Sequence, residues 1–177
     1  SGFAIGTVNT VGLTTSGNTT LNTTGTVTQS AAITAAGLEL LGTNGVYTLT
    51  NTSNAITTLA GNTATVSLVE NSGFAIGTVN TVGLTTSGDL TLSSTGTVTQ
   101  SQKIAAAGLE LLGTNGIYTL TNTSNAITTL AGNTATVSLV ENSGFAIGTV
   151  NTVGLTTSGN TTLNTTGTVT QSAAITA

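Results

Sequence analysis

Ser1-Gly2-Phe3-Ala4-Ile5-Gly6-Thr7-Val8 opens the chain, returns unchanged at residues 72–79 and returns again at 143–150. The 71-residue spacing holds throughout: 1–71 and 72–142 differ at eight positions, and 143–177 matches 1–35 at every one. A period this long and this faithful marks a stacked array, in which each unit completes its core against the next. The chain divides into repeat 1 (1–71), repeat 2 (72–142) and a partial repeat 3 (143–177) of one continuous solenoid. It starts and stops inside the pattern and reads as a slice of a longer protein.

Inside the unit, polarity alternates with period two. In Thr63-Ala64-Thr65-Val66-Ser67-Leu68 the side chains of Ala64, Val66 and Leu68 share one face, and Thr63, Thr65 and Ser67 share the other. Tyr47 and Leu49 behave alike, as do Phe3 and Ile5. The differences between copies fit this alternation. Thr19 lies two residues before Leu21, on the inner face, and becomes Leu90; Ala31 and Ala32 become Gln102 and Lys103, which reads as a solvated corner. Polar turns follow Leu21, Leu49 and Leu68, and Gly12, Gly37, Gly61 and Gly83 fall at intervals of 25, 24 and 22, dividing the unit into three unequal coils. The expected fold is all-β: a right-handed parallel β-helix (β-solenoid) with about three coils per 71-residue repeat. The hand follows the general rule for parallel crossovers. Seven or so coils stacked at ~4.8 Å would form a rod roughly 35 Å long.

Composition agrees with an ordered, thin-cored chain. Hydrophobic residues make up 37%, charged residues 3% and aromatic residues 3%, and the mean hydropathy is +0.36. Disordered chains combine low hydrophobicity with high net charge. Thr, Asn, Ser, Gly and Val are poor helix formers, and Thr and Val suit strands. The single basic residue, Lys103, cannot neutralise a phosphate backbone or an anionic membrane surface, so no nucleic acid and no membrane partner is expected. No apolar run approaches the ~20 residues that span a bilayer, so membrane insertion is not expected either. Without Cys there is no disulfide framework.

The chemistry-bearing residues are few. The acids are Glu39, Glu70, Asp89, Glu110 and Glu141. Glycoside hydrolysis needs two close carboxylates, and here each is expected in a different coil from its partner. Glu39, between Leu38 and Leu40, alternates outward and reads as a solvated gatekeeper against edge pairing; Glu70 reads as a turn residue. No His or Cys is present to bind metal, and no His to activate Ser or Thr. No catalytic, cofactor-binding or metal-ligating residue is assigned, no cofactor is implied, and enzyme activity is not expected. Thr26-Val27-Thr28, Thr48-Leu49-Thr50 and Thr63-Ala64-Thr65 would suit an ice-binding face only if they lined up one per coil, and the unequal offsets from Thr26 to Thr48 to Thr63 do not suggest it. Asn18, Asn22, Asn51, Asn122, Asn160 and Asn164 stand in Asn-x-Ser/Thr acceptor sequences, which a chain this rich in Thr and Asn also produces by chance.

The stretches Val11-Gly12-Leu13-Thr14-Thr15-Ser16-Gly17-Asn18, Gly25-Thr26-Val27-Thr28-Gln29-Ser30 and Ala35-Ala36-Gly37-Leu38-Glu39-Leu40-Leu41-Gly42 resemble repeats of filamentous-haemagglutinin-like bacterial exoproteins, many of them secreted by the two-partner route. The resemblance implies a β-helical shaft, extracellular or at a cell surface, that serves adhesion, aggregation or toxin display. The expected function is such a shaft, giving reach and multivalent contact. Its expected partners are further copies of the repeat, in the same chain or end to end in a filament, together with cell-surface or glycan ligands. A self-assembling extracellular matrix fibre is the alternative. An ice-binding solenoid and a polysaccharide-acting enzyme are more distant ones.

Overall fold

A computed structural model describes residues 1–177, and every regular element in it is a strand. Repeat 1 contributes β1 (Phe3–Ile5), β2 (Leu13–Thr14), β3 (Asn18–Asn22), β4 (Thr26–Gln29), β5 (Ile33–Leu49) and β6 (Ala55–Glu70). The two long strands recur in repeat 2 as Ile104–Leu120 and Ala126–Glu141. All strands pair in parallel, as a chain winding repeatedly in one direction requires. The fold is a β-solenoid.

The register shows the coils directly. Phe3, Val27, Tyr47, Val66, Leu90, Leu109, Leu130, Ile147 and Gln171 stand in one column, each paired with the next. Leu130 to Ile147 is the shortest step, and Phe3 to Val27 is among the longest. Eight steps carry Phe3 to Gln171, so a coil averages ~21 residues. From Val27 to Ile147 the column is buried, and it forms the axis of a core that takes in Leu38, Leu40, Leu49, Leu59 and Leu68. Thr19 is half-buried whereas its copy Leu90 is 0% exposed, so the inner face runs where the alternation places it.

Coil and repeat are incommensurate. Three steps carry Val27 to Leu90, but the copy of Val27 in the next repeat is Val98. Each repeat therefore spans three coils plus eight residues. Identical segments come to stand at different places around the rod: Tyr47 lies in the column above, and its copy Tyr118 pairs with Val98 and Val137 instead. Local surroundings are nonetheless copied, because each residue still meets the same partner about one coil away. Thr34 faces Ala55 as Ala105 faces Ala126.

This geometry corrects several expectations. The four glycines do not mark equivalent coil boundaries. Gly37 pairs with Thr58, Gly61 lies between Leu40 and Leu84, and Gly12 and Gly83 close hairpins. Of the three leucine anchors, Leu49 and Leu68 pair, but Leu21 pairs with Leu40. Thr63 does not face outward; it is 2% exposed. The register shifts between Gly42 and Val46, so the alternation slips at a corner and Thr63 turns inward. There its hydroxyl reaches the carbonyl oxygens of Gly42 at 3.0 Å and Gly45 at 2.8 Å. At the other corner Lys103 is exposed, but Ala31 is buried.

Buried polar groups staple the coils. Asn54 is 0% exposed. Its Oδ1 accepts the Ile33 N–H at 2.8 Å, and its Nδ2 donates to the carbonyls of Leu49 at 3.2 Å and Val69 at 2.9 Å. It also exchanges hydrogen bonds with the Gln29 amide, so one side chain ties three successive coils. Asn125 does the same with Ile104, Leu120, Val140 and Gln100. No buried side-chain nitrogen or oxygen lacks a partner.

Candidate functional site

Residues 77–83, Gly-Thr-Val-Asn-Thr-Val-Gly, leave the solenoid as a small hairpin. An antiparallel bridge between Thr78 and Val82 holds its arms, and the Gly83 N–H donates to the Gly77 carbonyl at 2.8 Å. Gly83 has φ +77°, in the region that favours glycine, and a Cβ there would sit 2.6 Å from the Lys103 carbonyl oxygen. The hairpin starts in the fourth coil and folds back over the third. Its base accepts the Gly61 N–H at 2.9 Å, and its tip reaches Glu39 in the second coil.

The tip closes on the Glu39 carboxylate. The Thr81 N–H donates to Oε1 at 2.6 Å, and Asn80 Nδ2 donates to Oε2 at 2.9 Å. Thr20 Oγ1, from the first coil, donates to Oε2 at 2.7 Å. Val79 lies over Gly37, where a Cβ would meet Asn18 Oδ1 at 2.5 Å and Val79 Cγ2 at 3.0 Å, so the bare glycine leaves room for both the Asn18 side chain and the hairpin. Between hairpin base and tip lies Ala60, paired with Glu39 and fully buried. Repeat 2 builds the same clasp. Asn151 and Thr152, in the hairpin 148–154, hold Glu110 at 2.8 and 2.6 Å, Thr91 adds 2.8 Å, and Val150 lies over Gly108. Because the repeat overshoots three coils, the two clasps stand on different sides of the rod.

Glu39 is thus no solvated gatekeeper: it and Glu110 are each 1% exposed. Alternation does point them outward, but a hairpin from the following repeat covers them. Burial alone would raise the Glu39 carboxyl, yet the hydrogen bonds from Asn80, Thr81 and Thr20 outweigh it and hold the pKa at about 2. Glu110 is lowered by the same opposition of burial and donors. Glu70 does sit at a strand end and turn. Its carboxylate accepts the N–H groups of Ser72 at 2.8 Å and of Gly73, and it is fully buried. Glu141 repeats this cap and adds Thr165 Oγ1 at 3.0 Å; burial pushes it up, and these donors bring it below the usual range.

A general acid at neutral pH needs a raised carboxyl, whereas those of Glu39, Glu110 and Glu141 are lowered. These four glutamates are covered, hydrogen-bonded to neighbouring turns, and spread over separate coils. No three of the acids cluster as a metal site would require. The Thr-x-Thr segments do not form an unbroken array: Thr26 pairs with Val46, and Thr48 with Ser67. Of the acceptor asparagines, Asn18, Asn22, Asn160 and Asn164 are exposed, while Asn51 and Asn122 are half-buried in turns whose carboxamides accept the N–H two residues on.

Sequence reading missed the clasp. Its signal was present in the Gly-Thr-Val-Asn-Thr-Val-Gly segment, seven residues flanked by glycines with Asn-Thr at the centre. No periodicity says which carboxylate such a tip will meet. The chain matches no family model, no curated protein and no solved structure.

Proposed function

We propose that this chain is a length of structural shaft, a rod displayed outside a cell as part of a surface filament or adhesin. One observation carries the reading. Each repeat is locked to the one before it by a hairpin that spans three coils and buries the earlier repeat's glutamate. A device repeated between identical units adds length and resists fraying. Strength along the rod comes from parallel backbone pairing and from the Asn54 and Asn125 staples, and reach comes from copy number. The resemblance to filamentous-haemagglutinin-like repeats supports placement at a bacterial surface, and multivalent contact is then the mode of adhesion.

A fibre assembled end to end is the second reading. It would continue between molecules the parallel strand pairing that joins one coil to the next within the chain.

Electron microscopy of arrays differing by whole repeats tests the shaft. With ~21 residues per coil and ~4.8 Å between coils, one 71-residue copy adds about 16 Å and turns the rod by about 137°. Deleting one copy from the parent filament should shorten it by that amount and leave its binding selectivity unchanged. Selectivity lost with a single copy would refute the shaft reading.

A further inference from the structure

The chain carries three copies of the hairpin, and only two hold a glutamate. Residues 6–12 fold as the others do: Thr7 bridges Val11, and the Gly12 N–H donates to the Gly6 carbonyl at 2.9 Å. Gly12 has φ +73°, beside +77° at Gly83 and +78° at Gly154. The tip residues Asn9 and Thr10 match Asn80-Thr81 and Asn151-Thr152. Neither donates to a carboxylate, and Val8 is 93% exposed where Val79 and Val150 are half-buried. Beside this hairpin lies a groove of about 520 Å³ lined by Phe3, Ile5, Val8, Leu13 and Leu21.

We infer that the hairpin 6–12 is an open carboxylate clasp whose occupant is the Glu39-bearing coil of a further copy of this repeat, its glutamate accepting from Asn9 Nδ2 and the Thr10 N–H. The occupant is identified by the two filled clasps. In each, the bound carboxylate belongs to the sequence Gly-Leu-Glu-Leu-Leu, its glycine lies under the hairpin valine, and the intervening coil presents a buried alanine, Ala60 or Ala131. Val8 then seats on the glycine of the incoming copy, and the groove receives its apolar coil edge. The clasp also selects its partner. Within one molecule Glu39 and Glu110 are already held, so two such chains cannot trade them without opening a clasp; the site takes a copy whose glutamate is free. Charge complementarity is local: the hairpin has no titratable group, and its tip meets the carboxylate through N–H donors, as the filled clasps do with Asn80 Nδ2 and the Thr81 N–H.

The inference rests on the shaft reading and deepens it: the repeats add in one register because the clasp recognises a carboxylate 41 to 42 residues upstream. Amide hydrogen exchange tests it in the full chain preceded by one further copy of residues 1–71. Thr10 should slow by at least roughly tenfold, toward the rate of Thr81. Replacing the added copy's glutamate, at the position of Glu39, by alanine should abolish that protection. An added copy that lengthens the rod by about 16 Å while Thr10 still exchanges as in the unextended chain overturns the clasp and leaves the shaft standing. An added copy that gives no lengthening overturns the shaft. The clasp is then decided in the unextended chain, where Glu39→Ala should speed exchange at Thr81 and leave Thr152 unchanged. Thr81 unmoved by Glu39→Ala overturns it.

Discussion

Replacing Asn54 by leucine keeps nearly the same volume and removes every polar contact of a side chain that is 0% exposed. Three backbone groups lose their partner: the Ile33 N–H and the carbonyls of Leu49 and Val69. Each buried group left unpaired costs about 1–3 kcal/mol, and the apolar leucine returns about 1–2 kcal/mol through burial. The net expectation is a loss of about 1–8 kcal/mol, centred near about 4 kcal/mol, large against a total of about 5–15 kcal/mol. In a solenoid the damage stays with nearest neighbours. The coils that Asn54 joins should fray while those held by Asn125 stay closed. Urea denaturation gives the total, and amide exchange gives the place: Ile33 should lose protection and Ile104, the equivalent donor to Asn125, should keep it. Asn62, exposed on β6, is the control, with an expected change within about 0.5 kcal/mol. An Asn54→Leu chain within about 1 kcal/mol of the parent, with Ile33 still protected, would refute the staple argument.

Three other outcomes follow from the same contacts. Gly108→Val places a Cβ 2.5 Å from Asp89 Oδ1 and 3.0 Å from Val150 Cγ1 and Cγ2, so the Asp89 side chain must turn away and the hairpin should lift, at a cost of about 1–3 kcal/mol; exchange at Thr152 should rise while Thr81 stays slow. Because Glu39, Glu110 and Glu141 are lowered on folding, their stabilisation is complete above the ordinary value of 4.5 and fades as pH falls toward 2. Thermal melting should therefore be level from neutral pH to about 5 and drop below about 4, and Glu39→Gln should flatten part of that drop. Tyr118→Phe removes a buried hydroxyl that lies 2.8 Å from the Leu92 carbonyl and 2.7 Å from the Leu112 carbonyl, and should cost about 1–3 kcal/mol by chemical denaturation.

Sequence alone determined the stacked, all-strand character of this protein. A 71-residue period, strand-favouring composition and one-sided alternation leave little else, and residues such as Tyr47, Leu49 and Leu90 fall inward where that alternation places them. These are local properties: side-chain direction in an extended chain follows from the neighbouring residue. The tertiary structure decided the coil length and everything dependent on it. Corners slip the alternation by one residue, as at Thr63, and hairpins add residues without adding coil, so glycine spacing could not reveal how far the coil falls out of step with the repeat. The fate of Glu39 depended on the same count. Alternation turns it outward, toward water in any single coil. Only the return of the chain two coils later brings Asn80 and Thr81 over it, and that meeting depends on register between distant residues, which no local pattern encodes.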